Sequence, residues 1–544
     1  MKGFDGPARC GTFEVWENRD TRQGRKIGIR FIVIPASKGG PVDEAVAFFS
    51  GGPGQAATDS AAQVAQDLAP VRDTRDLLFA DLRGTGGSNP LPCTSGKPGD
   101  LQSYLGGFYD PKDVVRCAAE LKDKADVTWY GSAPALDDME DLRAALGYDK
   151  LDLFGVSYGT RAELEMIRRH PQHIRAVLMH GTAPTDNRYP MTVPKDAQLA
   201  IDGVFADCAR DPGCHKAFPN PARDLQASLH RFDKGPVKVR VLDPTNGEMT
   251  SISLERDRYT EGLRALLYDA SSSSLVPAVV HEAAHGNFGP AAEEELSWKF
   301  SVGEHSRGLH LAVTCAEDVD FIDPAEAERA AKGTFMTAWR VADQKAACAV
   351  WPHRKLDASV QEPVKSELPL LVMNGEDDPA TASYHAKRML QGFPNGRLVI
   401  IPSQGHGFGG LVGVGPCYNK IVNEFLRTAD AKSVDASCMK DVRRPPFPTQ
   451  FPGGTPVAMK PATLSRFAGK YEGSEKISIE LKDGKLEADA QGETMTLLPI
   501  GRSRFRITQS PHTRITFYEK KGKVAGFALE DGGSPVEKFA KKPL

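Results

Sequence analysis

The chain has 544 residues, a formal net charge of −3 and 40% hydrophobic residues. With 52 Gly and 39 Pro it is too rich in breakers for a coiled coil and too mixed for a low-complexity chain. The near-balanced charge gives no reason to expect nucleic acid as a partner, and no apolar run reaches the ~18 residues of a membrane span.

Residues 1–190 alternate strand and helix patterns. Ile27, Ile29, Phe31 and Val33 alternate as in a half-exposed strand, whereas Ala45–Phe49 and Leu77–Ala80 read as short, fully buried strands. A helix is expected from Pro134 to Leu146, with Ser132 as N-cap and Gly147 as its stop. The strand Leu151–Val156 follows, then a helix ending before Pro171, then the strand Ala176–Met179. This βαβ rhythm predicts an α/β fold with a mostly parallel central sheet covered on both faces.

Residues 191–365 break the rhythm and read as an inserted, mostly helical cap. The α/β pattern resumes over 366–445 with strands at Leu368–Asn374 and Arg397–Ile401 and helices near Ser383–Leu390 and Tyr418–Leu426. Residues 446–461 read as a Pro-rich linker. Beyond it, over 462–544, the period changes to two: Ile477/Ile479/Leu481, Leu486/Ala488, Phe505/Ile507, Ile515/Phe517 and Phe527/Leu529 alternate around Asp483-Gly484 and Lys521-Gly522 turns. This predicts a small antiparallel β domain.

The first five residues, Met1-Lys2-Gly3-Phe4-Asp5, lack the apolar stretch of a secretory signal. The nine cysteines nonetheless suggest an oxidising compartment, because their spacing does not repeat as paired C-x-x-C. The expected disulfides are Cys208–Cys214 and Cys417–Cys438, then Cys315–Cys348 and Cys93–Cys117, leaving Cys10 over. A secreted or periplasmic protein follows, with its signal peptide absent from this sequence.

Gly155-Val156-Ser157-Tyr158-Gly159 is a G-x-S-x-G placed directly after a buried strand and before a helix. There the glycines let the backbone turn sharply and present the serine oxygen at the helix N-terminus. A serine needs a base and an orienting acid, which follow it in strand-turn-helix hydrolases in the order acid, then histidine. The strand Leu368–Asn374 runs into Glu376-Asp377-Asp378, three candidate acids, and Arg397–Ile401 runs into a turn holding His406, the candidate base. An oxyanion hole is expected from Gly51 or Gly52, after the strand Ala45–Phe49, together with the N–H of Tyr158.

Gly51-Gly52-Pro53-Gly54, Asp81-Leu82-Arg83-Gly84-Thr85-Gly86-Gly87-Ser88, Gly155–Arg161 and Gly375-Glu376-Asp377-Asp378-Pro379 occur in that order. Together they resemble proline iminopeptidase and tripeptidyl aminopeptidase-type α/β-hydrolases over about residues 10–445. The resemblance implies the α/β-hydrolase fold, a serine mechanism and a helical cap over the site. It also picks Asp378, the aspartate before proline, as the catalytic acid. Ser50 stands where many iminopeptidases have histidine.

Two other signals compete. His281-Glu282-Ala283-Ala284-His285 has the form of a zinc-peptidase helix, with Glu304 as a conceivable third ligand, but Gly286 and Pro290 end the helix at once. It is read as an ordinary cap helix, so no metal and no cofactor are expected. Gly84-Thr85-Gly86-Gly87 lacks the dinucleotide spacing and is followed by Pro90 and Pro92.

The expected function is a serine exopeptidase that releases residues or short peptides from the N-terminus of a small peptide substrate. The catalytic residues are Ser157, His406 and Asp378. An aminopeptidase must neutralise the substrate ammonium, and the adjacent acids Glu317 and Asp318 are the candidates, with Glu317 as the anchor. An esterase using the same triad is the alternative reading, and a zinc peptidase through His281 and His285 is a further one.

Overall fold

The computed structural model describes residues 4–40, 44–97, 99–301, 306–490, 493–534 and 536–542. Ten strands precede the C-terminal domain: β1 (Arg9–Trp16), β2 (Lys26–Ile34), β3 (Glu44–Phe49), β4 (Asp76–Ala80), β5 (Lys150–Val156), β6 (Ile174–His180), β7 (Val237–Leu242), β8 (Met249–Leu254), β9 (Leu370–Gly375) and β10 (Gly396–Ile401). Eight of them form one sheet in the order β1-β2-β4-β3-β5-β6-β9-β10. The pairs β1/β2 and β2/β4 are antiparallel; all others are parallel. This is the α/β-hydrolase architecture.

Strand alternation builds two cores on one sheet. Ala45, Ala47, Phe49, Leu78 and Ala80 pack on one face, while Val46, Phe48, Leu77 and Phe79 pack on the other. Helices cover both faces, which is why the central strands read as continuous apolar runs rather than alternating ones. The helix Ser132–Leu146 ends on Gly147 in the left-handed region (φ 83°), as its sequence predicts. Its start needs a correction: Gly131 is the N-cap, and the Ser132 hydroxyl turns inward to Tyr158 and Glu317 instead of capping.

The cap between β6 and β9 is mostly helical but also contains the β7/β8 hairpin, which the sequence reading missed. The signal was present: Val237, Val239 and Val241 alternate with Lys238 and Arg240. The disulfides Cys93–Cys117, Cys208–Cys214, Cys315–Cys348 and Cys417–Cys438 are all formed, and Cys10 is free and exposed. Among the described residues, no helix is long and apolar enough to cross a membrane.

The Pro-rich segment is extended yet firmly tied down. Just before it, Arg444 forms ion pairs with Asp207 (2.9 Å) and Asp377 (2.7 Å), and Phe447 is buried in the cap core. Eight antiparallel strands between Gly469 and Lys541 then close into a barrel. Phe467, Tyr471, Phe505, Phe517, Phe527 and Phe539 fill its interior. Its Asp483-Gly484 and Lys521-Gly522 turns have positive φ at both positions, the geometry of a two-residue hairpin loop. The barrel docks on the cap helix Gly289–Ser301 through Arg506–Glu293 (2.5 Å) and His512–Glu294 (2.7 Å).

Candidate active site

Ser157 sits between β5 and the helix Tyr158–Arg169 with φ 58° and ψ −122°, a backbone conformation that costs a non-glycine residue free energy. Its N–H donates to the His180 carbonyl (2.8 Å), which fixes the turn. Glycines flank it for steric reasons. A Cβ on Gly155 would meet the Glu163 carboxyl at 2.5 Å, and one on Gly159 would press into the Phe49 carbonyl. Gly51, at the end of β3, approaches so closely that its Cβ would lie 3.1 Å from the Ser157 Cβ. The G-x-S-x-G pattern is therefore what this close crossing of β3, β5 and the following helix demands.

His406 follows β10, and Asp378 follows β9. The His406 Nδ1 lies 2.9 Å from Asp378 Oδ2 and 3.1 Å from Oδ1. Asp378 also accepts from the N–H groups of Ala380 (2.9 Å) and Thr381 (2.8 Å) and from the Thr381 hydroxyl (2.7 Å). Burial by itself would raise the Asp378 pKa. The adjacent imidazole and these hydrogen bonds outweigh burial and hold the carboxyl below its usual range. For His406 the balance is the mirror image: burial favours the neutral ring, but Asp378 outweighs it and raises the pKa.

The neighbouring acids are engaged elsewhere. Asp377 pairs with Arg444, and Glu376 accepts from the Ser403 N–H (3.1 Å). Burial, opposed by Arg444, pushes Asp377 up to about 7.

Two cavities flank Ser157. The larger, about 460 Å³, is lined by Gly52, Ser157 and His406 from the core, by aromatic residues including Tyr189, Tyr268 and Trp298, and by three arginines. Tyr268 meets the His406 ring edge-on at 5.3 Å. The smaller, about 80 Å³, is lined by Ser157, Tyr158, Arg161, Asn187, Asp318 and Thr381 among others.

The two cap acids fare differently. Asp318 lines the small cavity, where it makes a bidentate pair with Arg161 (2.8 Å to each oxygen). Burial, opposed by Arg161, raises it to about 6. Glu317 lies at neither cavity: it accepts from the Ser132 N–H (2.6 Å) and hydroxyl (2.7 Å), and Ser132 in turn meets the Tyr158 hydroxyl (2.8 Å). Glu317 is thus held by Ser132, away from the two cavities that flank Ser157.

The His281/His285 segment is a helix, Val276–Ala284, whose C-cap is His285. His281 Nδ1 pairs with Asp224 (2.8 Å) and His285 Nδ1 contacts the His281 carbonyl (2.7 Å). Among the described residues, no group of three or more His, Cys, Asp or Glu could hold a metal ion; Glu304 lies outside the described residues.

Residues 335–438, the span that holds Asp378 and His406, match the family model described as TAP-like protein. The match covers the second part of the α/β core and places that segment beside the TAP-like proteins. Serine protease Hip1 of Mycobacterium tuberculosis is 30% identical over 269 residues, 46% of this chain and 50% of that one, so the chain spans half the length of this relative. Tripeptidyl aminopeptidase of Streptomyces coelicolor is 23% identical over 481 residues, covering 79% of this chain and 83% of that one. Among solved structures, proline iminopeptidase of Mycobacterium smegmatis is similar with a TM-score of 0.38 and 14% identity, over 78% of this chain and 100% of that one.

What sequence reasoning missed is the wall of the large cavity, above all Arg264, Arg307 and Arg340. One signal could have flagged part of it. Arg258, Glu261 and Arg264 recur every third residue on the helix Arg256–Leu266, and all three are buried. Charged residues repeated on one buried helix face need a purpose.

Proposed function

We propose that the chain is a serine peptidase that cleaves short peptides from their amino-terminal end. The carrying observation is that the Asp378-held imidazole of His406 and the strained Ser157 line one cavity. Ser157 Oγ attacks the scissile carbonyl, and the free nitrogen of His406, Nε2, takes its proton. Asp378 holds the Nδ1 proton and stabilises the imidazolium. The negative charge that develops on the carbonyl oxygen is met by the N–H of Tyr158 at the helix start and that of Gly51 or Gly52. His406 then protonates the departing amine, and water releases the acyl group by the same route.

The relatives named tripeptidyl aminopeptidase support an exopeptidase. So does the cap, whose side chains line the large cavity over Ser157. The free amino end belongs in the small cavity, beside the Asp318–Arg161 pair. The four disulfides support an extracytoplasmic setting.

The test is turnover of one tripeptide series with the amine free or acetylated. Faster cleavage of the free amine supports the reading. Equal turnover removes the amino-terminal specificity, and ester cleavage with no peptide turnover replaces the peptidase by an esterase.

A further inference from the structure

The large cavity beside Ser157 is lined by Arg264, Arg307 and Arg340 and, among the described residues, by no Asp or Glu. These guanidinium side chains are 2%, 7% and 4% exposed, so they are part of a built wall and not a solvated rim. Each rests on an aromatic ring: Arg264 over Tyr268 at 5.1 Å, Arg307 over Tyr109 at 4.9 Å and Arg340 over Phe108 at 4.7 Å. Such stacking fixes where the planar forks point and keeps water from spreading over them.

The wall is under-compensated. Glu261 pairs with both Arg264 (2.5 Å) and Arg340 (3.2 Å), and Glu295 stands 3.7 Å from Arg258, with Lys299 nearby. Among the described residues, five cations thus share two carboxylates. Arg307 has no carboxylate within ion-pair distance among the described residues and donates to the Phe108 carbonyl. Arg340 Nε is a buried donor without a partner. Asp378 holds His406, Asp269 accepts from the Gly409 N–H (2.9 Å), and Asp343 accepts from the N–H groups of Phe108 and Tyr109. Unshared buried positive charge is costly unless an anion arrives to meet it.

We infer that this wall is an anion subsite, which binds a carboxylate of the peptide substrate while the scissile carbonyl sits at Ser157. The inference rests on the peptidase reading and deepens it. A guanidinium fork matches a carboxylate through two parallel N–H···O bonds, and Arg307, the one wall arginine with no carboxylate partner among the described residues, gives a preference for an acid over an amide. The wall repels an ammonium, which assigns the amino end to the small cavity and the carboxyl end to the large one. The enzyme thereby measures peptide length: a carboxylate that lies too far from the scissile bond does not reach the wall. The carboxylate is the C-terminal one or an acidic side chain near it, and the test separates the two.

The experiment compares matched short peptides on the full chain: free acid, C-terminal amide, and the amide with Glu as its last residue. The free acid is expected to exceed the amide in kcat/KM by roughly 10- to 100-fold, the worth of a charge-assisted pair. Recovery by the Glu amide assigns the subsite to a side-chain carboxylate; no recovery assigns it to the C-terminus.

Arg307→Met should bring the acid-to-amide ratio close to one, and Arg307→Lys should retain part of it. A ratio near one in the wild-type protein, or an unchanged ratio in Arg307→Met, overturns the inference. Should Arg307→Met fail to fold, the wild-type ratio still decides. If no peptide is turned over at all, the peptidase reading fails. The anion subsite is then read separately, by whether the free acid raises the Tm of the wild-type chain while the amide does not.

Discussion

Replacing Asp378 by Asn keeps size and removes one charge, and the surrounding donors dictate what happens next. Oδ1 accepts from the main-chain N–H groups of Ala380 and Thr381, which cannot turn away, so the Asn carbonyl must take that place. The Asn NH₂ then occupies the Oδ2 position, where it faces the Thr381 hydroxyl and His406 Nδ1. The hydroxyl can rotate to accept. The imidazole can only answer by becoming an acceptor at Nδ1, which moves its proton to Nε2. That nitrogen then cannot take the proton of Ser157. A wrong tautomer of this kind costs roughly 10⁴-fold in kcat, or about 5.5 kcal/mol of barrier.

Asp377→Asn is the matched control. It weakens the Arg444 pair and should lower stability by about 1–3 kcal/mol while leaving kcat within a few-fold. The assay is kcat on a short peptide and on p-nitrophenyl acetate, beside Tm for both variants. Asp378→Asn within 10-fold of wild type, or Asp377→Asn as the more damaging change in kcat, refutes the assignment of the acid.

Three further outcomes follow from named contacts. Because Asp378 raises the His406 pKa, kcat/KM should climb with pH through an apparent pKa above the ordinary ~6.5, since only the neutral ring accepts a proton; a limb below that value contradicts the pairing. His512 is buried between Glu294 and Asp531; burial opposes its charge, but these carboxylates raise it to about 10. Its stabilisation is full below the unfolded pKa of ~6.5 and is lost as pH rises through about 10, and His512→Gln should cost about 3–5 kcal/mol at neutral pH by calorimetry, with no loss expected if the barrel contributes nothing to cap stability. Loop length ranks the disulfides. Removing Cys315–Cys348, whose ends are 33 positions apart, should cost about 4 kcal/mol against about 2 for Cys208–Cys214, whose ends are 6 apart, as read by denaturant titration of paired Cys→Ser variants.

The elbow, the acid segment and the histidine were legible because their requirements are local. Two glycines and a strand-to-helix turn specify Ser157, and each partner stands one turn past a strand end. The first half of the sheet was legible from apolar runs, and the barrel strands from period-two alternation, although nothing in the sequence says that eight strands close.

The wall of the large cavity was not legible, because Arg264, Arg307 and Arg340 come from three helices, Arg256–Leu266, Arg307–Glu317 and Trp339–Cys348. The partner of Glu317 was hidden for a related reason. An acidic pair in a short segment looks free until Ser132, 185 positions away, is brought against it. Long-range pairing of polar side chains leaves no trace in local periodicity.

The account stands or falls on Ser157 as the nucleophile. A fluorophosphonate probe followed by peptide mapping tests this directly. One adduct per chain on the peptide holding Gly155–Gly159, at Ser157, with activity lost in parallel and untouched by a chelator, is the predicted result. An adduct on another residue, or activity that survives the probe and is abolished by the chelator, contradicts it.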